Sequence, residues 1–236
     1  MGKNNFFQFK QFKIIQEKAA MKVGIDGVLL GAWARFDEVT QVLDIGTGTG
    51  LLALMAAQRS DAMVDAVELE PDAAEEAFAN FRNSGWGSRI NLHVGAFQNF
   101  DTTKRYDHII SNPPFFENSP KSTDSKRAKA RHSDSLTLSE LLGKAVSLLT
   151  CAGKISLILP ADKEERLRIL AAAEGMFINR FSWVAPDETK KPHRILAELS
   201  GSPDQQEGTL IVLRHVGSAD YTDQYRELTR EFYLAF

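Results

Sequence analysis

Residues 42–52 read VLDIGTGTGLL, and the fold turns on how this stretch is built. Val42–Ile45 is an apolar run broken only by Asp44, the pattern of a strand covered on both faces. Gly46, Gly48 and Gly50 follow at alternate positions, and Leu51 opens a run, LLALMAAQ, of helical composition. Glycines between a strand end and a helix start let the chain turn tightly and bring main-chain N–H groups against a ligand. An acid, Glu68, ends the next apolar run, DAVE, 22 residues after Gly46. That is the spacing of a carboxylate accepting from ribose hydroxyls, and Leu69 beside it joins the same set. Taken alone, the pattern fits any adenosine-type cofactor.

Working outward, strands are expected at 41–46, 63–69, 90–95, 106–111 and 154–160, with helices at 50–58, 71–85, 136–149 and 163–175 between them. Pro71 near a helix start, Thr137 or Ser139 as a cap, and Gly175 past a helix end support these assignments. The alternation predicts an α/β fold, a mostly parallel sheet with helices on both faces. Two further runs, 177–186 and 208–216, come without a helix between them, so an antiparallel strand is expected at the edge. The chain reads as one domain, 1–236, with an N-terminal extension (about 1–40) and a long loop (about 115–135) without apolar periodicity.

Apolar residues make up 43% of the 236 and charged residues 25%, an ordinary globular composition with net charge −3. The charge is uneven. Lys121, Lys126, Arg127, Lys129 and Arg131 stand against Asp124 alone between residues 118 and 132, and Lys10 and Lys13 lie in an acid-free start. Basic patches on an acidic body suit contact with nucleic-acid phosphates. A single cysteine, Cys151, excludes a disulfide framework and a metal quartet, and it is expected to be a buried small hydrophobe. No metal is called for. The start of the chain lacks the apolar core of a signal peptide and no run is long enough to cross a bilayer, so a cytoplasmic protein is expected.

A second stretch carries chemistry. Residues 111–116, SNPPFF, end the strand YDHII on the rim where ligands bind in such sheets. Proline has no N–H and restricts the residue before it, so Asn112 and Pro113 are expected to be extended with carbonyls free to accept. The Asn112 side chain adds another acceptor, and two converging acceptors suit a planar –NH₂ group; Pro114 belongs to the same turn, and Phe115 offers a stacking face. Such an amine could belong to adenine, cytosine, guanine or a carboxamide.

The string Asp44-x-Gly46-x-Gly48-x-Gly50 resembles motif I of the class I S-adenosylmethionine (SAM) methyltransferases. The resemblance implies a Rossmann-like, seven-stranded sheet ending in an antiparallel strand, and SAM as cofactor. It places Gly46, Gly48 and Gly50 against the methionine and ribose, Asp44 nearby, and Glu68 on the ribose. The family usually has an Asp near the adenine amine where this chain has Ala96, which leaves Phe97 to pack on the adenine ring. Asn112–Phe115 resembles motif IV, [N/D/S]-P-P-[Y/F/W], of the amino-methylating members. Residues 17–34, EKAAMKVGIDGVLLGAWA, resemble the segment preceding motif I in N6-adenine methyltransferases, with Lys22 on the SAM carboxylate and Asp26 on its ammonium. Over residues 8–116 the pattern is similar to the bacterial tRNA adenine-N6 methyltransferases. That implies a tRNA substrate, the target being the anticodon-adjacent adenine (position 37) of a valine tRNA, with the basic residues named above meeting RNA.

Three enzyme classes share the Asn-Pro-Pro logic. A protein glutamine-N5 methyltransferase usually carries Tyr at the Phe115 position and a helical N-terminal domain. A guanine-N2 rRNA methyltransferase often has a duplicated domain, and a DNA adenine methyltransferase a base-reading one. A SAM- or RNA-binding module would leave both motifs idle. Oligomeric state is not legible.

Overall fold

The computed structural model describes residues 5–114, 136–204 and 207–236. Two short strands, β1 (Phe6–Gln8) and β2 (Lys13–Ile15), form an antiparallel hairpin. Helix α1 (Ile25–Trp33) follows. Then β3 (Gln41–Ile45), α2 (Leu51–Arg59), β4 (Met63–Glu68), α3 (Pro71–Arg82), β5 (Ile90–Val94) and β6 (Tyr106–Ser111) alternate. Helix α4 (Leu138–Ser147), β7 (Leu149–Pro160), α5 (Glu164–Ala173), β8 (Phe177–Ala185), β9 (Arg194–Ser200), β10 (Glu207–Val212) and α6 (Asp223–Thr229) complete the chain.

The main sheet runs in the order β10-β8-β9-β7-β6-β3-β4-β5. Strands β3 to β7 are mutually parallel, so their carboxyl ends share one rim. β9 is the antiparallel strand, set between β7 and β8 toward the β10 side. The sheet therefore has eight strands. The eighth is β9, whose sequence RILAELS is short, carries a charge at 198 and is preceded by Lys-Lys-Pro-His, so no strand is read there from the sequence.

Successive strand residues point to opposite faces, and both faces are buried. Val42, Val64, Ala66, Ile110 and Ile158 pack with residues of α1, α2 and α6. Leu43, Ile45, Val67, Ile109, Ile155 and Leu157 pack with residues of α4 and α5. Helix α1 lies close on α2 because Gly27 and Gly31 are bare. A Cβ on Gly27 would stand 2.9 Å from Leu51 Cδ2, and one on Gly31 would overlap Met55 Sδ. Thr137 caps α4 with a capping box, its hydroxyl accepting from Glu140 N–H at 3.2 Å while Glu140 accepts from Thr137 N–H at 2.8 Å.

Cys151 is a correction, being exposed rather than buried. On β6 a single residue, Asp107, separates Tyr106 from His108, whereas their β7 partners are Leu149 and Lys154, so residues 150–153 bulge out of the ladder. The bulge carries Cys151 away from the core. Gly153 is required there, since a Cβ would lie 2.7 Å from the Tyr106 carbonyl oxygen.

Candidate active site

The carboxyl ends of β3, β4 and β6 meet at the glycine loop. Gly46 and Thr47 donate their N–H groups to Val67 O at 2.9 and 3.0 Å, pinning the loop to the end of β4. Gly48 N–H donates to Glu68 Oε2 at 2.7 Å, and Glu70 N–H to Glu68 Oε1 at 2.8 Å. Gly48 has φ +57, and a Cβ there would meet nothing within 4 Å, so its face is open toward the rim. Gly50 differs. It begins α2 at φ +89, and a Cβ would overlap the Phe81 ring, so this glycine serves helix packing.

Asp44 is fully buried at the end of β3. Its Oδ2 accepts from Thr47 Oγ1 at 2.5 Å and from Ala53 N–H at 3.1 Å. Its Oδ1 is buried and has no hydrogen-bond partner among the described residues. Burial pushes this carboxyl up to about 7, against the hydrogen bonds from Thr47 and Ala53 and with the help of the Glu68 charge. A buried carboxylate with an unused oxygen beside an open glycine loop suits a ligand carrying positive charge.

On the neighbouring strand, Ser111 Oγ donates to Ile45 O at 2.7 Å and ties the end of β6 to the end of β3. Asn112 comes next, beside the first loop glycine, because Ser111 is in register with Ile45. Its Oδ1 is buried, with no hydrogen-bond partner among the described residues. A Cβ on Gly27 of α1 would lie 4.0 Å from Asn112 Nδ2, so the first turn of α1 flanks the amide. Pro113 is buried and Pro114 exposed. Two orphaned acceptors, Asp44 Oδ1 and Asn112 Oδ1, thus stand at the ends of adjacent strands. Phe115 lies outside the described residues, as do Lys121, Lys126, Arg127, Lys129 and Arg131.

The remaining expected residues distribute unevenly. Asp26, in the first turn of α1, accepts from Arg194 Nε at 2.8 Å. Arg194 opens β9 opposite Pro160, the last residue of β7, and so joins the same rim. The sequence alone does not point to the pairing of Arg194 with Asp26, because it spans 168 residues. Lys22 is exposed, and Leu69, 40% exposed, presents an apolar face next to Glu68. Ala96 starts a 3₁₀ turn (Phe97–Asn99) after β5. Phe97 follows in that turn. It is 4% exposed, its ring stacked with Phe100 and approached by Lys144 Nζ at 5.4 Å. Lys10 Nζ donates to Arg230 O and Phe236 O, both at 2.6 Å, tying the hairpin to the last residues. Lys13 Nζ lies over the Phe6 ring at 3.9 Å, a cationic and aromatic pair on the surface of the same hairpin.

Among the described residues no group of His, Cys, Asp and Glu could hold a metal ion, and no helix is long and apolar enough to cross a membrane.

The parallel sheet, the glycine loop with its strand-end acid and the Asn-Pro-Pro turn together define a Rossmann-like methyltransferase. The chain belongs to the methyltransferase small domain family, which it matches over residues 28–167, and within it to the group of tRNA1(Val) (adenine(37)-N6)-methyltransferases. The relative of that name in Bacteroides fragilis is 43% identical over 233 residues, covering 97% of this chain and 98% of its own. The one in Vibrio campbellii is 43% identical over 230 residues, covering 97% and 95%. The one in Aeromonas salmonicida is 42% identical over 236 residues, covering 99% of each. Among solved structures, a predicted O-methyltransferase of Agrobacterium tumefaciens shares the fold with a TM-score of 0.66 at 18% identity, over 88% of this chain and 96% of its own. A glycopeptide N-methyltransferase complexed with SAM shares it with a TM-score of 0.54 at 15% identity, over 75% and 90%.

Proposed function

We propose that this chain transfers a methyl group from SAM to the exocyclic N6 amine of adenine 37 in tRNA1(Val). The observation that carries the reading is the buried, unpartnered Asn112 Oδ1 beside the glycine loop. An acceptor left without a partner in a buried position is costly, and a ligand N–H relieves that cost. SAM, once bound, supplies an electrophilic methyl group on a positively charged sulfur. The open face of Gly48 would receive its ribose and methionine portion, Glu68 would accept from the ribose hydroxyls, and Leu69 would cover one face of the adenine. Asp44 Oδ1 adds negative charge to a site that takes a cation, and Lys22 and Asp26 hold the amino-acid end.

Adenine N6 is a poor nucleophile because its lone pair is delocalised into the ring. Asn112 Oδ1 and the Pro113 carbonyl accept its two N–H bonds, which lets nitrogen pyramidalise and aim the lone pair at the methyl carbon. With SAM bound, the N–C bond would form as the C–S bond breaks, its electron pair leaving on sulfur, and the nitrogen would give its extra proton to solvent. Positioning and fixed dipoles supply most of the rate, so no strong side-chain base is required. The target base has to leave its stack to enter, and Phe115 gives it a new stacking partner.

The test is incubation with methyl-labelled SAM and separate pools of tRNA, rRNA, DNA and protein, followed by digestion. Label in N6-methyladenosine from tRNA1(Val) supports the reading. Label in N2-methylguanosine from rRNA, or in N5-methylglutamine from protein, replaces it with the corresponding rival.

A further inference from the structure

The connection from β2 to α1, residues 16–24, has no regular structure, yet side chains of one helix hold its main chain. Glu76 of α3, 5% exposed, accepts from three consecutive N–H groups: Glu17 at 2.5 Å and Lys18 at 2.6 Å on Oε1, and Ala19 at 2.9 Å on Oε2. One helical turn on, Asn80, 1% exposed, accepts from Ile15 N–H at 2.8 Å. Its Nδ2 donates to Ile15 O at 3.0 Å and to Thr49 O at 2.9 Å, and Thr49 belongs to the glycine loop. Gln16 Oε1 closes the connection on itself by accepting from Val23 N–H at 2.8 Å.

Glu76 and Asn80 stand on the buried face of α3 with Ala73, Ala77 and Phe81, where an amphipathic helix would carry apolar residues. A buried carboxylate is tolerated there only because three donors meet it, and such charge-assisted bonds are short and directional. The same helix follows Glu68 within three residues. Glycine loop, strand-end acid and the segment leading to Lys22 and Asp26 therefore share one mount.

We propose that Glu76 and Asn80 are positioning residues of the cofactor site: they lock residues 15–23 against the glycine loop and so set Lys22 and Asp26 for the amino-acid end of SAM. This rests on the reading above that the loop, Lys22 and Asp26 hold SAM. A tie serving the fold alone would lower stability and leave the affinity of the folded protein unchanged.

The experiment compares full-length wild type, Glu76→Ala, Glu76→Gln and Asn80→Ala. SAM Kd is measured by calorimetry below each melting temperature, KM for SAM and for tRNA separately, and amide exchange residue by residue. Glu76→Ala is expected to raise the Kd and KM for SAM about tenfold, equivalent to about 1.4 kcal/mol, with the tRNA KM within about twofold. Exchange at Glu17, Lys18 and Ala19 should accelerate while β3 and β4 stay protected, and Glu76→Gln, which keeps one acceptor oxygen, should recover part of the affinity. Asn80→Ala gives the same comparison if Glu76→Ala does not fold. Folded variants with wild-type SAM affinity overturn the positioning role, whereas wild-type protein that binds no SAM overturns the cofactor reading itself.

Discussion

Glu68 at the end of β4 accepts the Gly48 N–H at 2.7 Å, joining two neighbouring strand ends across the mouth of the site. Its second oxygen takes Glu70 N–H, so one carboxylate holds the loop and the start of α3 together. Each oxygen keeps a lone pair for a further donor. Glu68→Ala is therefore expected to act twice. Thermal unfolding of the ligand-free protein should show a loss of about 1.5–3 kcal/mol, as for a hydrogen bond to a charged group. Calorimetry should show SAM affinity falling tenfold or more; an unchanged Kd would remove Glu68 from the ribose.

Gly50 predicts a purely structural effect. Alanine there combines a left-handed φ, costing about 1–2 kcal/mol, with an overlap on the Phe81 ring that adds about 1–3 kcal/mol. Urea unfolding of Gly50→Ala should give a lower midpoint with an unchanged slope. A smaller residue at Phe81 should return part of the loss, since the two positions are in contact. A Gly50→Ala protein as stable as wild type would mean that α2 does not start where it is described.

Asp44 sets a pH dependence. Burial raises its folded-state pKa to about 7, above the 3.8 of the unfolded chain, so between roughly pH 4 and 7 the native state holds the extra proton. Its contribution to stability therefore falls as pH rises through that window and is flat above it. A sulfonium bound nearby favours the ionised form, so SAM binding at about pH 6 should release a proton, and binding above about pH 8 should not. Calorimetry in buffers of different ionisation enthalpy reads this directly. Asp44→Asn should abolish the release.

The proposed RNA contacts can be tested on two sets of basic residues. Lys10 gives its ammonium to the Arg230 and Phe236 main-chain oxygens, so Lys10→Ala should lower stability and leave the salt dependence of tRNA binding alone. If Lys126, Arg127 and Lys129 each neutralise one RNA phosphate, as proposed, their charge reversal should instead make the negative slope of log K against log salt shallower by about 2. Equal slopes for wild type and the triple variant would place the RNA-binding surface elsewhere.

The strands flanking the glycine loop are legible in the sequence because local pattern and tertiary role agree there. VLDIG and YDHIIS are apolar, end in turn residues and become β3 and β6 within one residue. What is not legible depends on partners far away along the chain. β9 takes its identity from lying between β7 and β8. Cys151 is exposed because of a bulge that only the pairing of β6 with β7 defines. Glu76 and Asn80 read as ordinary helix residues until residues 15–19 and Thr49 are set against them. A carboxylate on the otherwise apolar face of α3 is the available sequence clue. Asp26 reads as a cofactor ligand, and its pairing with Arg194 is visible only when the rim is assembled.

The proposed function makes methyl transfer depend on Asn112, whose buried Oδ1 would hold the amine that receives the methyl group. Single-turnover transfer from labelled SAM to tRNA1(Val) by Asn112→Ala is the decisive measurement. The transfer rate should fall at least about 100-fold, the scale expected when one fixed transition-state partner is removed, with SAM affinity within a few fold of wild type. Transfer at the wild-type rate by a folded Asn112→Ala protein would rule out that role for Asn112.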